Sequence, residues 1–224
     1  MDFRQRIEEA LKKSRARYTE IRLEVTTGTR VVFRGERLET ATETLDRGGF
    51  VRVLAREGGW GTATFNDLDL LPQKVEQALA CAEAVPAAKV ELAGVEAVVH
   101  ETLANLEEDF RGVSLQTKVD NLRELNDLIL SGDETIQSTR AIYQDKMQAV
   151  YYGNSQGTWV VEERPLLDLY CIAEAVRGDD VVSQGEALTL SNSGFEAVRD
   201  RQDMAREAAL RAREQLDAQP VRGG

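Results

Sequence analysis

The chain has 224 residues, of which 42% are hydrophobic and 30% are charged. This composition is ordinary for a globular protein, and the length suffices for one large domain or two small ones. The formal charge of −11, from 28 basic and 39 acidic residues, opposes the neutralisation of phosphates on which nucleic-acid binding depends. We therefore expect no nucleic-acid partner.

The sequence gives no sign of a membrane or secretory segment. Met1 leads directly into an amphipathic pattern, and no stretch approaches the roughly 20 apolar residues needed to span a bilayer. The two cysteines, Cys81 and Cys171, lack the spacing of a disulfide framework or of a metal pair. We expect a cytoplasmic protein without a membrane partner, with both cysteines in its core.

Hydrophobic spacing predicts the elements of the first half of the chain. Asp2 caps a helical pattern over residues 2–14, and Pro72 begins a second helix. Between these helices, alternation of apolar and polar residues predicts five strands. The predicted turns that separate the strands are Thr27-Gly28, Arg34-Gly35-Glu36, Gly48-Gly49 and Gly58-Gly59.

The second half repeats this order after a segment of mixed character. Residues 86–112 are predicted to be a linker, within which Val95 to Leu103 form a short strand or extended chain. Ser114 caps a helix that ends at Ser131-Gly132, and a last helix covers roughly residues 200–216. The predicted strands between these helices are Glu134 to Tyr143, Met147 to Tyr152, Thr158 to Glu163 and Leu166 to Val176. The predicted breaks between them are Gln144-Asp145-Lys146, Gly153 to Gly157 and Arg164-Pro165.

The predicted fold class is therefore α+β. Two consecutive helix-plus-antiparallel-sheet units are expected, the first at residues 1–85 and the second at residues 113–224, where it ends in a helix. Segments 31–40 and 149–158 agree at several positions, among them Gly35 with Gly153. Two explanations fit this agreement: a divergent internal duplication, or similar hairpin chemistry that arose independently.

Five segments in order carry a resemblance to a known family. They are YTEIRLE, FRGERLET, GGFVRVLAREGGWGTATFNDL, YYGNSQGT and the closing LDAQPVRGG. Together they resemble the N-terminal half of the TldD/PmbA family, zinc-peptidase-related proteins that are also named modulators of DNA gyrase. The segment GGWGTATFNDL is more similar to the TldD branch than to the PmbA branch.

This resemblance implies that the chain is a fragment, the noncatalytic N-terminal part of a TldD-like metallopeptidase. Such an enzyme is a cytoplasmic hydrolase that cleaves peptides or unfolded protein segments. The N-terminal part is expected to contribute substrate enclosure and subunit assembly, as a homodimer or as a heterodimer with a PmbA-type subunit. For a full-length relative the resemblance implies zinc, held by two histidines four residues apart on a helix, beside a glutamate.

That zinc motif is not present in this sequence. The single histidine, His100, is followed by Glu101, and Ala104 and Asn105 occupy the positions for a second ligand. Catalytic zinc normally needs three protein ligands. We therefore predict no catalytic residue, no metal ligand and no cofactor in this chain, and no peptidase activity from it alone.

Aromatic residues in predicted strands are candidates for peptide-facing or interface positions, although such residues more often belong to a core. They are Trp60, Phe65, Tyr151, Tyr152 and Trp159. Unpaired strand edges are a second candidate, since an extended peptide can add to them through main-chain hydrogen bonds. Turn-forming roles are predicted for Gly48, Gly49, Gly58, Gly59, Gly153, Asn154 and Gly157. The alternative function is a freestanding module that binds a peptide or a protein partner without cleaving it.

Overall fold

The computed structural model describes residues 2–87 and 89–219. Met1, Ala88 and residues 220–224 lie outside the described residues. The excluded positions contain part of the predicted linker and the end of the segment LDAQPVRGG.

The described residues contain four α-helices. They are α1 (Phe3–Lys13), α2 (Leu71–Glu83), α3 (Leu115–Leu130) and α4 (Gln202–Leu216). The Asp2 carboxylate accepts a hydrogen bond from the Gln5 amide, and the Ser114 hydroxyl accepts one from the Thr117 amide. These bonds satisfy amide groups that have no partner within the helix. The four helices predicted from apolar spacing are confirmed, with small differences at their ends.

Seven strands form the sheet of the described residues. They are β1 (Tyr18–Arg34), β2 (Arg37–Leu54), β3 (Trp60–Phe65), β4 (Val99–Thr102), β5 (Ile136–Asn154), β6 (Trp159–Arg177) and β7 (Asp180–Ser191). Their pairing order is β3-β2-β1-β5-β6-β4, and β7 pairs with β6. The β2–β3 and β6–β7 pairs are antiparallel, whereas β4 runs parallel to β6. The α+β class is confirmed, and the internal duplication stays a prediction.

Four strands are longer than predicted, because polar residues and glycines that suggested turns lie inside them. The wrongly predicted turns are Thr27-Gly28 in β1, Gly48-Gly49 in β2, Gln144-Asp145-Lys146 in β5 and Arg164-Pro165 in β6. Each of these strands has neighbours on both sides, so main-chain pairing continues through a short interruption of the pattern. Pro165 falls between the residues of β6 that pair with β4, 159–162, and those that pair with β7, 166–177.

The chain packs as two compact units, each drawn from three stretches. Unit 1 comprises Met1–Thr26, Leu45–Ala104 and Gln148–Arg164. Unit 2 comprises Thr27–Thr44, Asn105–Met147 and Pro165–Gly224. Strands β1, β2, β5 and β6 therefore contribute residues to both units. The division of the sequence at residues 86–112 stays a prediction.

The core of unit 1 lies between two helices and one face of its strands. Buried members from α1 and α2 are Ile7, Ala10, Val75, Ala78, Leu79 and Ala82, and those from strands include Ile21, Leu23, Val51, Val53 and Val161. Cys81 is exposed on α2, one position away from the buried stripe, so its predicted core location is wrong. Cys171 is fully buried in β6, as predicted.

The core of unit 2 forms where α3 and α4 pack with its strands. Its buried residues include Leu122, Leu125 and Ile129 of α3, Ala205, Ala208 and Ala212 of α4, and Leu167, Leu169 and Ala173 of β6. The rings of Tyr143 and Phe195 meet edge to face, with centroids 5.9 Å apart. Among the described residues, no helix has the length and apolar character needed to cross a membrane.

Candidate functional site

The two faces of the strands in unit 1 separate the five aromatic candidates. Phe65 and Trp159 are buried members of the core cluster, and Tyr151 packs against that cluster. The Tyr151 ring lies 5.0 Å from the Phe3 ring and 6.5 Å from the Trp159 ring, measured between centroids. Because side chains alternate along a strand, Tyr152 lies on the face opposite to Tyr151. This placement leaves Trp60 and Tyr152 as the two candidates outside the core.

Tyr152 contacts a buried carboxylate, that of Glu20, and Trp60 contacts two residues that bind the same carboxylate, Tyr18 and Arg52. Glu20 is only 5% exposed. Its Oε2 accepts hydrogen bonds from the Tyr18 hydroxyl at 2.8 Å and from the Tyr152 hydroxyl at 3.0 Å. Its Oε1 lies 2.6 Å from Nη2 of Arg52, whose guanidinium carbon lies 5.2 Å from the centroid of the Trp60 ring. We call these five residues the Glu20 cluster.

Neighbouring strands bring the Glu20 cluster together. Tyr18 and Glu20 lie two residues apart on β1, so both point to one face, while Arg52, Trp60 and Tyr152 come from β2, β3 and β5. The pairing order β3-β2-β1-β5 places these strands side by side. Trp60 is opposite Leu54 in the β2–β3 register, which makes it a diagonal neighbour of Arg52.

The environment of the Tyr18 hydroxyl keeps it a donor. Burial raises the pKa of Tyr18, and the adjacent Tyr152 hydroxyl and Glu20 carboxylate raise it further. The two hydroxyl oxygens lie 3.1 Å apart, and the edge of the Tyr18 ring faces Trp60 with centroids 6.1 Å apart. The cluster thus presents a half-exposed guanidinium and an indole that is 37% exposed, next to a buried carboxylate that is bound by Tyr18, Tyr152 and Arg52.

A structured turn borders the Glu20 cluster. The side-chain oxygen of Asn154 accepts from the amides of Gln156 at 3.0 Å and Thr158 at 3.1 Å. Gly157 has a φ of 96°, in the region that favours glycine. The Asn154 amide nitrogen lies 3.4 Å from the Tyr18 hydroxyl. The turn after β5 is therefore connected to the cluster through Asn154.

The other predicted turn glycines lie in different settings. Gly58, with a φ of 96°, and Gly59 join β2 to β3, whereas Gly153 lies within β5. A Cβ atom at Gly49 would lie 2.3 Å from the Arg22 carbonyl oxygen and 2.6 Å from the Phe65 ring. At Gly48 the nearest atom would be 3.8 Å away. Gly49 thus allows a close approach of neighbouring atoms inside β2, which corrects its predicted role in a turn.

The residues that the structure describes do not fit a zinc site. Within 2–87 and 89–219, no group of three His, Cys, Asp or Glu side chains could hold a metal ion. His100 is exposed on β4, and Glu101 points to the other face of that strand, where one carboxylate oxygen accepts from the Trp159 indole at 3.4 Å. A zinc centre needs three or four protein ligands in one place.

The sequence alone does not single out Tyr18, Glu20 or Arg52. Their alternating polar positions are typical of the solvent-facing side of a strand. Opposite charges on neighbouring strands favour a Glu20–Arg52 pair. This pair can be predicted only when the order of the strands is known.

Comparisons with known proteins place the chain in a family. The model of PmbA/TldA metallopeptidase domain 1 matches residues 19–88, and the model of the PmbA/TldA metallopeptidase central domain matches residues 108–216. The chain therefore belongs to the TldD/PmbA family of metallopeptidase-related proteins, as the resemblance predicts.

A curated relative agrees with this assignment. The metalloprotease slr0863 of Synechocystis sp. is 32% identical over 212 residues, which cover 94% of this chain and 45% of that protein. The chain thus spans about half the length of the curated relative it matches.

The solved structures share the fold at low sequence identity. A Thermotoga maritima protein, named as a candidate modulator of a DNA gyrase, superimposes with a TM-score of 0.78 at 18% identity, over 99% of this chain and 50% of that one. TldE from Thermococcus kodakarensis gives a TM-score of 0.69 at 13% identity, over 92% of this chain and 46% of that one.

Proposed function

We propose that this chain is the N-terminal, noncatalytic part of a TldD-like metallopeptidase that cleaves peptides or unfolded protein segments. One observation carries the proposal: domain 1 and the central domain match in order along a chain that spans 45% of a relative named as a metalloprotease. In such a protein, the zinc ion and the residues that activate water belong to the remaining length. The role of this chain is to hold substrate and to assemble subunits.

The face of unit 1 that carries the Glu20 cluster is the proposed substrate-holding surface. Trp60 offers an exposed ring for an apolar side chain, and Arg52 and Tyr152 offer polar contacts close to it. The buried candidates Phe65 and Trp159 support this surface from the core side of the strands. Their burial does not fit direct contact with a peptide.

Subunit assembly is supported by exposed apolar residues on β4 and directly beside it in the sequence. Val95, Val98, Val99 and Leu103 are each at least half exposed. Grouped apolar side chains of this kind mark interaction surfaces. We propose a homodimer or a heterodimer with a PmbA-type subunit.

A peptidase assay tests this function. An unstructured peptide is incubated with added Zn²⁺ and either this chain alone or the same chain extended to the length of its relatives. Zinc-dependent cleavage in the extended protein alone, abolished by a chelator, is expected. Cleavage by this chain alone would overturn its noncatalytic role. Peptide binding without cleavage in the extended protein would favour the freestanding binding module.

A further inference from the structure

The guanidinium of Arg52 is fixed on two sides within unit 1. Nη2 is bound at 2.6 Å by Glu20, a carboxylate that is itself buried, and the guanidinium carbon lies 5.2 Å from the centroid of the Trp60 ring. A planar guanidinium held by a carboxylate and an aromatic face has little conformational freedom left to lose when a ligand binds. Arg52 is thus a preorganised donor.

Arg52 has donor capacity beyond its contact with Glu20. A guanidinium carries five N–H groups. In the described part of the chain, Glu20 is the carboxylate partner of Arg52, and the Arg52 side chain is 50% exposed. The remaining N–H groups are accessible from solvent, next to the exposed part of Trp60.

The two tyrosines reduce the repulsion that Glu20 would exert on a second anion. The Glu20 carboxylate accepts from the hydroxyls of Tyr18 and Tyr152 as well as from Arg52. Hydrogen bonds to a carboxylate stabilise and spread its negative charge. Because Glu20 is buried, a ligand approaches Arg52 from the solvent side, away from the bound carboxylate.

Arg164 provides a contrast elsewhere in unit 1. Its Nη2 also lies 2.6 Å from a carboxylate, that of Glu162, but both side chains are close to half exposed, at 48% and 41%. Exposed pairs of this kind exchange readily with water and contribute little. Arg164 therefore matches Arg52 in charge, exposure and ion-pair distance, and lacks the buried anchor.

We propose that Arg52 binds a carboxylate of an extended peptide, with Trp60 supporting the neighbouring side chain. Arginine recognises carboxylates through paired, charge-assisted hydrogen bonds. The net charge of −11 does not prevent this, because exposed charges beyond about 10 Å are largely screened at physiological salt. The carboxylate is either the C-terminus of the peptide or an acidic side chain. The inference rests on the proposed function for the choice of a peptide as its carrier.

Calorimetric titration of the 224-residue chain with four acetylated pentapeptides tests this inference. The first pair is a glycine-serine peptide as its free acid and as its amide; the second pair is an amide peptide with one central glutamate or one central glutamine. The free acid or the glutamate peptide is expected to bind about tenfold more tightly than its neutral match, the factor for one charge-assisted hydrogen bond. The pair that shows the preference identifies the source of the carboxylate.

Two variants assign the preference to Arg52. Arg52→Lys should abolish the roughly tenfold preference for the carboxylate peptide over its neutral match, since lysine cannot make the paired contact. Arg164→Lys should leave this preference unchanged. Circular dichroism checks that both variants fold. If Arg52→Lys unfolds, Trp60→Leu, which keeps the Arg52–Glu20 pair and removes the neighbouring ring, replaces it; it should weaken binding of the preferred peptide, and unchanged binding would overturn the inference.

Equal affinity within both peptide pairs, no binding at millimolar concentrations, or equal effects of the two variants would each overturn the inference. None of these readings involves cleavage. A failure here therefore leaves the peptidase proposal standing, and an inactive extended protein leaves the binding result intact.

Discussion

The ammonium group of Lys118 lies 2.6 Å from the carboxylate of Asp145, and the two side chains are only 2% and 3% exposed within unit 2. Lys118 also donates to the Thr29 hydroxyl at 2.8 Å. Asp145 accepts from the Tyr143 hydroxyl at 2.6 Å and from the Thr29 amide at 3.0 Å. Burial and the Asp145 charge raise the pKa of Tyr143, which keeps its hydroxyl a donor. Each buried charge is thus compensated.

Removing one partner of this pair should be costly. Lys118→Met leaves the Asp145 carboxylate buried without a counter-charge, and we expect the free energy of unfolding to fall by about 3–5 kcal/mol. Urea denaturation followed by circular dichroism measures the change. The double variant Lys118→Met with Asp145→Leu should lose less than the single variant, because no unpaired charge remains. A single variant as stable as the exposed control Lys12→Met would contradict the argument.

Adjacent glycines in β2 distinguish a close approach from a turn. Gly49→Ala should destabilise the protein by about 1–3 kcal/mol, since its new methyl group would overlap the Arg22 carbonyl and the Phe65 ring. Gly48→Ala has ordinary room and should change the stability little. Thermal unfolding of both variants provides the comparison. Equal losses at the two positions would show that the packing around Gly49 is not the cause.

Backbone conformation determines the effect of alanine in the turn next to the Glu20 cluster. A Cβ atom at Gly157 has space, 3.6 Å from the nearest atom, but the φ of 96° is strained for alanine. We expect Gly157→Ala to cost about 1–3 kcal/mol. Gly94→Ala, with no atom within 4 Å of the new carbon, is the control and should be near neutral. Chemical denaturation curves of the two variants should separate, and coincident curves would contradict the strain argument.

The two cysteines should react with thiol reagents at very different rates. Burial, followed by the charges of Asp203 and Glu186, raises the pKa of Cys171 to about 12, while Cys81 is exposed. Titration with a disulfide reagent at mildly alkaline pH should modify one thiol per folded chain and both thiols in urea. Cys81→Ser should show no fast reaction. Rapid modification of both thiols in the folded chain would contradict the burial of Cys171.

The raised pKa of Cys171 also has a consequence for stability at high pH. The thiol of the unfolded chain ionises near its ordinary value of 9.0, whereas the folded chain keeps it protonated. The contribution of this group is therefore fully present below pH 9 and is lost as the pH rises towards 12. Between pH 9 and 12 the free energy of unfolding should fall less steeply with pH in Cys171→Ala than in the unaltered chain.

The sequence predicts the helices well because their information is local. Asp2 and Ser114 each lie directly before the helix that they cap, and the apolar residues of each helix recur every three or four positions. Strand ends depend instead on distant partners. Asp145 is a residue type typical of turns, and its position inside β5 is understood only when its ion pair with Lys118 of α3 is known. The false breaks lie near the points where β1, β2, β5 and β6 pass from one unit to the other.

For the same reason, only part of the Glu20 cluster could be predicted from the sequence. Trp60 and Tyr152 are conspicuous as aromatic residues in strands, but so are Phe65 and Trp159, which are buried. Alternation along a strand places Tyr151 and Tyr152 on opposite faces, but it does not show which of the two faces packs against the core. Glu20 and Arg52 become significant only when four strands are placed in order.

The interleaved composition of unit 1 has a consequence during protein synthesis. Its core needs Trp159 and Val161, from the stretch Gln148–Arg164, in addition to α1, α2 and the early strands. At about 5–20 residues per second, a ribosome needs several seconds to make the intervening chain. During that delay the early apolar strands emerge without the residues that complete their core. The late arrival of Trp159 and Val161 thus lengthens the time in which these strands are open to association with other chains.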